Sequence, residues 1–61
     1  MFTSHDLKEM GSKCAEIRIK AGITQKQMAE NTNTSRQNIS AFETGRNDSA
    51  RLLLAYQALE G

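Results

Sequence analysis

Arg36 and Gln37 stand side by side, two side chains able to address the edge of a nucleobase. An arginine can bond bidentately to guanine O6 and N7, and a glutamine can do the same at adenine N6 and N7. Ser40 and Ala41 follow one helical turn later, where a hydroxyl could meet a polar base edge and a methyl could touch that of thymine. A solvated helix face is the competing account of Arg36 and Gln37. Small side chains at Ser40 and Ala41 would equally keep a helix from clashing with whatever it approaches. Other chemistries lack their residues. Cys14 is the sole cysteine, so an internal disulfide is excluded, and its place on an apolar stripe makes it a core residue. A nucleophilic thiol would need a base beside it, and His5, the only histidine, sits in a first helical turn and is expected to be exposed. No catalytic set, metal site or cofactor site is expected.

The elements that must position Arg36 and Gln37 can be read from spacing. The chain has 61 residues, enough for one domain and too few for two. Without disulfide or metal it must rest on well-packed helices. The hydrophobic share of 38% is ordinary, and no apolar run could span a bilayer. The start, Met1 to Met10, lacks the basic and apolar regions of an export signal, so a reducing cytoplasm is expected. Eight basic against seven acidic residues leave a net charge of +1, which by itself does not favour a polyanionic partner. There are no prolines, and four glycines with Thr, Ser and Asn clusters divide the chain into four helical segments.

The first segment, about residues 4–20, is capped by Thr3 or Ser4. It carries Leu7, Met10, Cys14, Ile17 and Ala21 on one apolar stripe and stops at Gly22. The second, about 25–32, opens with a Thr24-x-x-Gln27 capping box and an Ile23–Met28 staple. Asn33 then makes a left-handed turn. The third, about 36–44, starts after the cap Ser35 and ends at Gly45. It turns Ile39 and Phe42 inward, with Asn38 or Glu43 at the margin, and Arg36, Gln37, Ser40 and Ala41 outward. The fourth, about 49–60, holds Leu52, Leu53, Tyr56 and Leu59 on one side, while Leu54 points away. The fold class is all-α.

A short capped helix, a tight turn and a second helix with a polar outer face make a helix-turn-helix. The second of these helices enters the major groove with its amino-terminal residues on the base edges. Gln25 and Lys26, at the start of the preceding helix, are placed for phosphate, where free amides and the positive helix end favour anions. Ordinary surface placement is the alternative for Lys26. The run Ile23 to Glu30, then Asn33 to Ser40, then Phe42 to Asn47, resembles the phage repressor/Cro family of XRE-type domains. The resemblance covers about Gly11 to Leu59. Its most specific features are Thr24-Gln25, the small Ala29 where two helices cross, Ile39-Ser40 and Glu43-x-Gly45.

That resemblance implies a compact four-helix, lambda-repressor-like domain over residues 1–61. It implies base contacts from Arg36, Gln37, Ser40 and Ala41, and phosphate contacts from Gln25, Lys26, Ser35, Thr44, Arg46 and Asn47. It also implies a structural ion pair, Arg18 with Glu43, tying the first helix to the third. Two departures stand out: relatives often have glycine at the Asn33 position and proline near Asp48. The missing proline leaves a one-residue ambiguity in where the last helix begins. Relatives also commonly continue into a fifth helix beyond the position of Leu59. Both a minimal four-helix form and the amino-terminal piece of a longer protein fit this sequence.

The function expected is a Cro- or repressor-like regulator, binding an inverted-repeat operator in double-stranded DNA as a homodimer within a bacterial cell or phage-infected host. Leu54, with Tyr56 or the chain end, is the expected pairing surface. The rival expectation is a protein-interaction module of antitoxin or antirepressor-partner type on the same fold. No membrane partner and no enzymatic activity are expected.

Overall fold

The computed structural model describes residues 4–60. Four helices follow in order: α1 Ser4–Lys20, α2 Gln25–Asn31, α3 Arg36–Glu43 and α4 Ala50–Glu60. Among the described residues there is no strand, and the fold class is all-α, as expected. Of the two caps expected for α1, Thr3 lies outside the described residues, and Ser4 is the first residue of the helix.

Local chemistry sets the boundaries. Thr24 Oγ1 accepts from the Gln27 backbone N–H at 3.1 Å, and Gln27 Oε1 accepts from the Thr24 N–H at 2.9 Å, the reciprocal capping box that starts α2. Ser35 Oγ accepts from the Asn38 N–H at 3.1 Å and starts α3. The first three helices end alike. Gly22 (φ 74°), Asn33 (φ 54°) and Gly45 (φ 82°) each turn left-handed. In each case the next residue's N–H reaches back to the fifth carbonyl before it: Ile23 to Arg18, Thr34 to Ala29, Arg46 to Ala41. Asn33 therefore does here what glycine does at the other two ends.

The proline-free loop into α4 is fixed by side chains instead. Asn47 Oδ1 accepts from the Ser49 N–H at 3.1 Å, and Ser49 Oγ accepts from the Leu52 N–H at 3.3 Å. Ser49 is thus the residue that caps α4 rather than its first turn, and the helix begins at Ala50. Arg51 donates to the carbonyl of Thr32, fastening the start of α4 to the end of α2.

The core is made by Cys14 from α1, Met28 and Ala29 from α2, Ile39 and Phe42 from α3, and Leu52 and Tyr56 from α4. Met10, Ile23, Leu53, Ala55 and Leu59 close around it. Phe42 and Tyr56 stack with ring centroids 5.4 Å apart. Ala21, expected on the apolar stripe of α1, is exposed because it lies past the last turn, in the Gly22 stop. Asn38 is exposed, and Glu43 is the residue that turns inward.

Gly11 does not divide segments. It lies in the middle of α1, buried, where a Cβ would stand 2.4 Å from the Phe42 carbonyl oxygen and 2.7 Å from that of Glu43. Glycine here lets α1 rest directly on the carboxyl end of α3. The same crossing brings Lys8 onto Gly45, whose missing Cβ would sit 2.8 Å from the Lys8 backbone nitrogen.

Candidate nucleic-acid interface

Everything outward on α3 depends on what anchors its inward side, and that anchor is Glu43. Its carboxylate accepts from Arg18 Nε at 2.7 Å and Nη2 at 3.1 Å, a bidentate fork from α1. Gln25 Nε2 adds a third bond from the start of α2 at 3.2 Å, and the Tyr56 hydroxyl adds a fourth from α4. Arg18 also donates through Nη1 to the Ile23 carbonyl at 2.7 Å. One buried carboxylate therefore joins all four helices.

Burial alone would raise the Glu43 carboxyl, but the hydrogen bonds from Arg18, Tyr56 and Gln25 outweigh it and hold the group below its usual range. The bond to Glu43 correspondingly raises Arg18, against the opposing effect of burial. Burial first, then the bond to Glu43, pushes the Tyr56 hydroxyl well up, so it stays a neutral donor. Burial also raises the Cys14 thiol, with Glu43 and Glu60 adding to it, which disfavours a reactive thiolate.

Tyr56 corrects one expectation. It is 0% exposed, stacked on Phe42 and bonded to Glu43, so it cannot belong to a pairing surface. A tyrosine on an apolar helix stripe carries no sequence signal for the distant carboxylate that will take its hydroxyl. Leu54 is 66% exposed, and the chain end at Gly61 lies outside the described residues.

The outward side of α3 presents Arg36 and Gln37 exposed at the amino end, with Ser40 and Ala41 half-buried one turn on. Gln37, Ser40, Ala41, Thr44 and Arg46 line one shallow open groove. These five residues, read separately from the sequence, thus share a surface. Lys26 is exposed at the start of α2, where helix amides are directed outward.

The remaining candidates have internal duties as well. Gln25 is half-buried and uses one amide hydrogen on Glu43, which leaves a primary amide its second donor. Ser35 Oγ is the acceptor in its cap, so its hydroxyl hydrogen remains available as a donor. Thr44 directs its hydroxyl back to the Ser40 carbonyl at 2.9 Å and must rotate to meet a phosphate. Asn47 is half-buried with Oδ1 committed to Ser49, while Arg46 is exposed.

Two capped helices across an asparagine turn, with a polar outer face on the second, define a helix-turn-helix protein. The helix-turn-helix family model matches residues 15–56, more than two-thirds of the sequence, and the chain belongs to this family of Cro-type, XRE DNA-binding domains. No match was found among curated proteins or among solved structures. The family is one of DNA-binding transcription regulators. Among the described residues no helix is long and apolar enough to cross a membrane.

Proposed function

We propose that this chain is a sequence-specific transcriptional repressor of Cro type, one domain over residues 1–61, that binds an inverted-repeat operator as a homodimer in the bacterial or phage-infected cytoplasm. The observation that carries the reading is the exposure of Arg36 and Gln37 at the amino end of α3, beside a groove shared by Ser40, Ala41, Thr44 and Arg46. Arg36 and Gln37 read base edges, with Ser40 and Ala41 behind them. Gln25, Lys26, Ser35, Thr44, Arg46 and Asn47 hold the flanking phosphates and fix register. The need to discriminate among sites favours a dimer. One recognition helix reads too few base pairs to single out a genomic site, and two copies about one helical turn apart read twice as many. Leu54 is the pairing residue in this reading.

Random-site selection with the purified chain tests it. The expected outcome is an inverted repeat with half-site centres about 10 base pairs apart. Failure to enrich any duplex, together with tight, salt-insensitive capture of a protein, would favour an antitoxin-like or antirepressor-partner role, for which the near-neutral charge leaves room.

A further inference from the structure

We infer that Lys8 is an additional phosphate-contacting residue, carried by the amino-terminal part of α1 to the loop that follows the recognition helix, where it works beside Arg46. The inference rests on the DNA-binding reading above. α1 meets the carboxyl end of α3 at Gly11, where contact is too close for a Cβ. One turn earlier the helix passes beyond that end and lies on Gly45. The backbone nitrogen, Cα and Cγ of Lys8 would each be 2.8 Å from a Cβ at Gly45, so the lysine stem begins at the residue next to Arg46. Arg46 lines the groove with Gln37, Ser40, Ala41 and Thr44, which puts Lys8 at the margin of the same face.

Three further observations single out this lysine. It is exposed, and neither salt bridge among the described residues, His5–Glu9 or Arg18–Glu43, engages it. It lies near the amino end of α1, where a cation opposes the helix dipole, so it is not placed to stabilise its own helix. It also lies outside the family match, which spans residues 15–56, so the match does not account for it. The structural alternative is that the Lys8 ammonium bonds the terminal carbonyls of α3.

Salt titration of a mixed-sequence duplex, followed by fluorescence anisotropy, separates the two. Lys8→Gln is expected to lower the slope of log K against log salt by about 0.9, the release of one counterion, with several-fold weaker binding and an unchanged Tm. Lys8→Arg is expected to restore the wild-type slope. Lys13→Gln is the charge control, because Lys13 lies about 140° round the helix from Lys8 and lines the groove between α1 and the end of α4. The contact is overturned by an unchanged slope in Lys8→Gln, by a slope that Lys8→Arg does not restore, or by an equal drop in Lys13→Gln. A lowered Tm with the slope intact assigns Lys8 to the α3 terminus instead. A wild-type chain that binds no duplex sinks the regulator reading and this contact together, whereas a salt-dependent wild type with an unaffected Lys8→Gln sinks the contact alone.

Discussion

In the proposed reading Arg36 exchanges water for a base edge, and a bidentate geometry would make that exchange competitive. Its guanidinium is exposed, so nothing in the fold depends on it. Arg36→Ala should therefore leave Tm unchanged, weaken operator binding by about 1–3 kcal/mol and relax preference at one base pair. Equal weakening on operator and random duplexes, measured side by side, would remove its base-reading role. Lys26→Ala should instead weaken all duplexes alike and lower the salt slope by about one. Glu43 behaves in the opposite way, since its contribution is to the fold. Its carboxyl is held below the usual glutamate value near 4.3 by its donors. Stability from this group is thus complete above that value and is lost as pH falls through the lower folded one. Acid titration of Tm should show this loss in the wild type. Removing the Arg18 partner should cost about 3–5 kcal/mol near neutrality by leaving the carboxylate buried and uncompensated.

Helix ends were legible in the sequence because their chemistry is local. Thr24, Gln27, Ser35 and Asn33 act within a few residues of themselves, so spacing alone identified both caps and the left-handed turn. Long-range partners were not legible from spacing. The Arg18–Glu43 pair came only through family resemblance, and Tyr56, whose hydroxyl meets Glu43 thirteen residues away, carried no sequence mark. Gly11 falls inside the first helix by spacing, but spacing gives it no role there, because that role appears only where α1 crosses α3. That crossing makes a sign prediction. In a free helix Gly→Ala would stabilise by about 1 kcal/mol. At Gly11 the new methyl would meet the Phe42 and Glu43 carbonyls at 2.4 and 2.7 Å, both backbone atoms that cannot rotate aside. Overpacking of this kind costs about 1–3 kcal/mol. Gly11→Ala should consequently lower Tm, and a rise would show that α1 sits farther from α3 than described.

For the whole molecule, the question is how a domain with a Cα radius of gyration of 10.4 Å and a net charge of +1 could select a site. Long-range attraction to DNA is weak at that charge, so the proposed regulator would draw its affinity from local cations around α3 and its selectivity from a second subunit. A two-fold pair requires one surface to meet its own copy. With Tyr56 withdrawn into the core, Leu54 is the exposed large apolar residue that α4 offers, and Ile19 is its counterpart on α1. A single exposed leucine is common on any surface, so exposure alone does not decide the matter. Leu54→Glu does. The side chain is 66% exposed, so the substitution should leave the monomer's Tm intact. If Leu54 pairs the subunits, two carboxylates would face each other across the axis and cooperative operator binding should disappear. Binding to an isolated half-site would be retained at its weaker affinity. Sedimentation of the variant with and without operator provides the check. A Leu54→Glu chain that still occupies both half-sites cooperatively would move the pairing surface elsewhere, with the Ile19 side of α1 the next to test.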